Sequence, residues 1–199
     1  MQVLVHGTDG SEFDYGPSKL HEAHQAYMDD WSSALVARGP TLSPDGSEHT
    51  GSVHVVNVDS LQTARSFAFA EPYAQAGWYA SVTVLPMVSC IEGTMWDRPR
   101  PEPEQPSAFV TASWQPISLK CSSLADLLRE EFARDEGRPW LFGGLLLNDA
   151  LTEVCGLVGG LDLAPQDADR QLTRLIDRTP APPPLVEAQR WMRGGRPTE

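Results

Sequence analysis

Residues 52–70 read SVHVVNVDSLQTARSFAFA, and residues 154–176 read VCGLVGGLDLAPQDADRQLTRLI. In the first stretch Val53, Val55, Val56 and Val58 form a β-branched run suited to a pleated strand. Asp59 or Ser60 then offers a side-chain oxygen to cap a helix running to about Ala70. In the second, Val154 to Leu161 reads as a strand, Asp162 stands where Asp59 stood, and Pro165 to Ile176 is helical. The alignment of Val58-Asp59-Ser60 through Phe67 with Leu161-Asp162-Leu163 through Leu172 marks an internal repeat.

The pattern extends outward from both stretches. Gln2 to Thr8 is a short β-branched run closed by a Gly-Thr-Asp-Gly turn. From Lys19 to Arg38 the apolar positions Leu20, Ala23, Tyr27, Trp31, Ala34 and Leu35 recur every three or four residues, which predicts one helix stopped by Gly39-Pro40. A polar turn at Ser43 to Thr50 precedes the Ser52 to Val58 strand, and Val82, Val84 and Leu85 supply another. The second half follows the same order. Ala108 to Trp114 is its first strand, Leu124, Leu127, Leu128 and Phe132 line one helix face, Gly143-Gly144 predicts a turn, and Leu185 to Met192 closes it.

Between the halves, Pro99, Pro101, Pro103 and Pro106 alternate with Arg98, Arg100, Glu102 and Glu104, a composition that predicts an extended, semi-rigid linker. The predicted domains are therefore 1–90, a linker at 91–106, and 107–199. Strand, helix, strand, then helix and strand in about 90 residues suggest a small antiparallel sheet with both helices on one face, the α+β ferredoxin-like plan. Two such units in tandem can bury their bare faces on each other. The expected fold is an intramolecular pseudo-dimeric α+β barrel with a pocket in its interior.

The composition narrows the function. With 199 residues, 27 acidic against 15 basic side chains and a formal charge of −12, the chain would repel phosphate backbones and anionic lipids, so neither nucleic acid nor membrane is an expected partner. No apolar run approaches the roughly 18 residues of a spanning helix, and Met1 to Gly10 lacks the basic and apolar regions of a signal peptide; the expectation is a soluble cytoplasmic protein. Cys90, Cys121 and Cys155 are odd in number and in no ligand spacing, which argues against disulfides, structural zinc and an activated thiolate. There is no GxSxG elbow, and Gly156-Leu157-Val158-Gly159-Gly160 departs from both GxGxxG and the P-loop. No cofactor is expected.

All five histidines precede the linker. His24 sits on the first helix, Ala37-Arg38-Gly39-Pro40 at its predicted end, Gly51-Ser52 at a strand start, Ala64 in the second helix, and Glu71-Pro72-Tyr73 with Ala76-Gly77-Trp78-Tyr79 beyond. In this order and spacing, residues 1–88 resemble the YCII-related domain family. The resemblance implies a dimeric ferredoxin-like α+β barrel whose histidine and acid sit in a pocket as a catalytic pair. It also implies cofactor-free proton chemistry, as in a dehydrochlorinase of chlorinated hydroxyquinol breakdown or the similar muconolactone isomerase. Carried onto this chain, the histidine is His24 and the acid is Glu71, with Glu where the family has Asp. The second half has no histidine in Ser122 to Arg134, and Thr179 to Pro184 replaces the Glu-Pro-Tyr element, so it reads as a degenerate copy with structural duty.

An imidazole titrates near pH 6.5 and can take and return a proton in one cycle, provided a partner fixes its tautomer. Glu71 could be that partner, in the manner of a triad's third member. The same residues could equally close a core hydrogen bond and cap a loop. His21 and His24 have a spacing compatible with two metal ligands, but no HExxH motif or nearby cysteine completes a site, so no metal is expected. His6, His54, Tyr27 and Tyr73 are candidate substrate-binding residues, with core packing as the competing role for the tyrosines and half-exposed strand positions for the histidines. The expected function is a cofactor-independent lyase or isomerase acting on a small cyclic or aromatic molecule. The alternative is a non-catalytic small-molecule binding or scaffold protein. Tethering of the two halves predicts a monomer, with further homodimerisation open.

Overall fold

The computed structural model describes residues 1–13, 19–101, 105–117, 121–134 and 140–195. Strand β1 (Gln2–Asp9) is followed by helix α1 (Lys19–Asp30), strands β2 (Leu35–Leu42) and β3 (His49–Asn57), helix α2 (Leu61–Ala70), the short helix α3 (Pro72–Gln75) and strand β4 (Tyr79–Ser89). The second half runs β5 (Ser107–Ile117), α4 (Cys121–Arg134), β6 (Trp140–Leu147), β7 (Val154–Leu161), α5 (Pro165–Ile176) and β8 (Leu185–Trp191). All strand pairs are antiparallel and close a barrel in the order β1-β3-β2-β8-β5-β7-β6-β4. Each half contributes the strand order of a ferredoxin-like sheet, and the fold is the α+β barrel that the repeat predicts.

Alternation along the strands divides the apolar residues into three clusters. Leu4, Val53, Val55, Met87, Phe109, Phe142, Leu146, Val158 and Trp191, drawn from both sheets, fill the barrel. Val3, Val5, Val56, Ala64 and Phe67 join α1 and α2 to the outer face of the first sheet. Leu124, Leu128, Phe132, Leu157, Leu172 and Ile176 do the same for α4 and α5 on the second. Ser60 caps α2 by accepting the Thr63 N–H at 3.1 Å, as the sequence suggests.

Two expectations fail for one reason. The helix predicted from Lys19 to Arg38 stops at Asp30, the chain turns through Trp31–Ala34, and Leu35-Val36-Ala37 enters β2 opposite Val56 and Val55. Such a run fits either period, and pairing on β3 decides it. Gly39 is thus no helix cap but a strand residue at the β2–β8 seam, where a Cβ would run into the Met192 carbonyl oxygen. Likewise Gly143-Gly144 is not a turn. It lies within β6, and a Cβ on Gly144 would strike the Val88 carbonyl at the β4–β6 seam. At both seams, where the sheet of one half meets that of the other, a glycine permits close backbone approach.

The Pro-rich stretch also differs from a solvated spacer. A 3-10 turn at Met95–Asp97 buries Met95 completely and sets Trp96 against the apolar clusters. Glu102, Pro103 and Glu104 lie outside the described residues. No helix among the described residues is long and apolar enough to cross a membrane.

Candidate active site

The expected pocket inside the barrel is displaced to its outer face. The barrel interior at this level is packed with side chains, whereas polar groups collect between α1, α3 and the outer face of β2 and β3. There a cavity of about 320 Å³ is lined by His21, His24, Arg38, His49, His54 and Tyr73, among others, and is closed on one side by Met192–Gly195, the segment following β8. The second half therefore supplies backbone to the wall of this cavity.

His24 comes from α1, one of its two buried residues, and Glu71 from the junction of α2 and α3. His24 Nδ1 lies 2.5 Å from Glu71 Oε1, and Glu71 is only 2% exposed. The other carboxylate oxygen, Oε2, accepts the Ala74 N–H at 2.9 Å as the N-cap of α3. Glu71 thus meets the imidazole with one oxygen and caps α3 with the other. The cap fixes the carboxylate, which accepts the Nδ1–H, and Nε2 is the ring nitrogen that Glu71 leaves unengaged. Tyr73 stacks on the His24 ring, with centroids 4.3 Å apart and planes 7° from parallel, and its hydroxyl lies 2.6 Å from His21 Nδ1.

His54 stands opposite Arg38 across the β2–β3 ladder, with its ring centroid 6.1 Å from that of His24. Burial, followed by repulsion from His24, Arg38 and His6, holds its imidazole well below the ordinary histidine value, so it is neutral at pH 7. The His21 imidazole is also lowered, first by burial and then by His24.

The remaining candidates lie elsewhere. His6 alternates to the barrel side, packs its ring edge-on to Phe109 at 5.1 Å, and faces a separate cleft at the barrel mouth. Tyr27 does not line the cavity. Its hydroxyl donates to the Phe67 carbonyl at 3.0 Å and its ring packs near Trp31 and Phe67, so it serves the core. Burial raises all three thiols, Cys90 to about 12, which leaves no thiolate near neutral pH. Among the described residues no group of three or more His, Cys, Asp or Glu side chains could hold a metal ion.

The sequence reading missed a second pair. His49 Nδ1 lies 2.6 Å from Asp9 Oδ2, with both side chains under 10% exposed, and the Phe13 ring stacks on His49 at 4.4 Å. Asp9 reads as a turn residue and His49 as part of a polar loop. Only the β1–β3 register, which sets Thr8 against Gly51, brings them together. Arg38 was hidden in the same way by its assignment to a helix end.

The fold and this cavity define a single-chain form of the ferredoxin-like α+β barrel. The sequence model of the YCII-related domain matches residues 1–88, the half that carries His24 and Glu71. A monooxygenase-like protein from Lactobacillus acidophilus, 6% identical, superposes over 96% of this chain and 93% of its own with a TM-score of 0.56. A variant chlorite dismutase from Candidatus Nitrospira defluvii with bound cyanide, 12% identical, covers 96% of this chain and 90% of its own with a TM-score of 0.54. These two likenesses concern the fold of both halves together. The 5-chloro-2-hydroxyhydroquinone dehydrochlorinase of Burkholderia phenoliruptrix, in complex with 2,5-dihydroxybenzoquinone, is 26% identical over 42% of this chain and 90% of its own, with a TM-score of 0.35. No curated protein matches the sequence.

Proposed function

We propose that the chain is a cofactor-independent lyase or isomerase for a small cyclic or aromatic metabolite, with His24 as acid and base and Glu71 as its positioning residue. The observation that carries this reading is the buried Nδ1–Oε1 contact of 2.5 Å beside a cavity of about 320 Å³, a volume suited to a single-ring compound. In an elimination, Nε2 of His24 takes a proton from the ring carbon or a hydroxyl of the substrate. The electrons left behind form the new double bond and expel the leaving group with its electron pair, and the imidazolium returns its proton to the departing group or to water. In an isomerisation the same proton returns to a neighbouring carbon. Glu71 stabilises the imidazolium formed between the two steps.

The alternative, a binding or scaffold protein, draws on the capping role of Glu71, which gives that residue structural work independent of turnover. The full-length protein separates the two readings when screened with chlorinated quinols and small cyclic hydroxy acids. Turnover that is lost in a folded His24→Ala variant supports the enzyme. Full turnover in that variant overturns it, and ligand binding without turnover across the set favours the alternative. We further read residues 107–199 as a degenerate copy of residues 1–90 joined through 91–106, and the protein as a monomer, because the strands that complete the barrel come from the same chain. Light scattering checks the latter.

A further inference from the structure

Two partly buried arginines lie beside the cavity and differ in what they are tied to. The Arg193 guanidinium forms an ion pair with Asp162 at 3.0 Å and donates to the carbonyls of Met95, Arg98 and Pro99. Its charge is met, and it fastens the end of β8 to the linker. Arg38 forms no such close ion pair among the described residues, and the carboxylate that acts on it, Asp29, does so from a greater distance. Its Nε donates to the Gly195 carbonyl at 3.2 Å and one Nη2 hydrogen to Gln25 Oε1 at 2.9 Å, both neutral acceptors. Its Nη1 is buried without a hydrogen-bond partner. A guanidinium taken out of water with an unused donor is costly unless something completes it.

The surroundings say what that something is. Arg38 shares the cavity with His24, Tyr73 and the neutral His54, and two neutral acceptors hold its planar fork in place. From these contacts we infer that Arg38 is the anion-binding residue of the cavity and that the ligand carries a negatively charged oxygen, a carboxylate or a phenolate or enolate on a small ring. Such an oxygen would accept from the guanidinium in a charge-assisted hydrogen bond and add to the counter-charge that Asp29 supplies from outside the cavity. The inference rests on reading this cavity as the substrate site. It deepens that reading because an acidic phenol or an enolate is also the species that proton removal by His24 would produce.

The probes are benzoate and its neutral isostere benzamide, titrated into the full-length protein by calorimetry. A charged hydrogen bond of this kind predicts that benzoate binds at least about tenfold more tightly than benzamide. Arg38→Gln should abolish the preference, and Arg38→Lys, which keeps the charge but not the fork, should retain part of it. In the wild-type protein, benzoate should also shift the side-chain nitrogen resonances of Arg38, so the test stands even where a variant fails to fold. Equal affinities for the two probes, or benzoate binding that leaves the Arg38 resonances unmoved, overturns the inference. Benzoate preference without turnover of any ring substrate would retain the anion site and sink the proposed enzyme. Turnover dependent on His24 without anion preference would do the reverse.

Discussion

Helices α1 and α4 occupy matching places in the two halves, yet they present opposite chemistry to the sheets beneath them. The buried residues of α1 are His24 and Met28, and its neighbour β2 carries Arg38 on the helix side. Helix α4 buries Leu124, Ala125, Leu128 and Phe132 over β6, every residue of which is buried, and Phe132 meets Trp140 edge-on at 4.7 Å. The cavity of about 600 Å³ beside α4 is lined by Cys90, Arg98, Arg129, Phe132 and Trp140, with no histidine. What the halves keep in common is the strand order and the seam glycines. Barrel closure therefore constrains both halves, while the histidines are confined to one.

The largest test of that contrast is chemical. General acid–base catalysis contributes about 10²–10⁴-fold, so His24→Ala should lower kcat by that range, whereas Arg129→Ala, at the other cavity, should leave kcat unaltered. Comparable losses from both would dissolve the distinction. Next in size is stability. Leu128 is fully buried, and Leu128→Ala should cost about 2–5 kcal/mol in urea unfolding while the folded fraction retains its turnover per molecule. Loss of turnover out of proportion to unfolding would give the second half more than a structural role.

A smaller effect concerns pH. His54 is lowered well below its ordinary value in the folded chain, mainly by burial, while in the unfolded chain it takes a proton near about 6.5. Above that pH it is neutral in both states and its contribution is complete. Below it the unfolded state holds the extra proton, so stability should fall with pH by up to about 1.4 kcal/mol per unit. Denaturation midpoints at pH 7.5 and 5.5 should show this slope reduced in His54→Gln; an unchanged slope would place a charged His54 in the folded protein. The smallest effect is that of Tyr27→Phe, which deletes one hydrogen bond to the Phe67 carbonyl and should cost about 1 kcal/mol with KM unchanged. A raised KM would return Tyr27 to the site.

The ferredoxin-like barrel, the α2 and α5 helices and the contact of His24 with Glu71 were legible because each rests on local signals or on a matched order of landmarks. The Gly39 and Gly144 strands were not, because glycine marks a turn locally, and its use here depends on a carbonyl brought close by a distant strand. The side of the sheet on which the cavity lies was hidden for a related reason. Val53-His54-Val55 alternates, and only closure of the barrel determines that the valines face inward and His54 faces the helices. The His49–Asp9 pair depends on register, which a single strand's sequence does not contain.

In the proposed enzyme Glu71 holds His24 with its proton on Nδ1 and leaves Nε2 for chemistry. Nitrogen-15 NMR of the histidine rings tests it without a substrate. The expected result is a His24 Nδ1–H resonance that is shifted downfield, protected from exchange, and moved upfield in Glu71→Gln, where the charged acceptor becomes a neutral amide. A His24 ring with its proton on Nε2, or with an Nδ1–H that exchanges as freely as in a solvated imidazole, would contradict it.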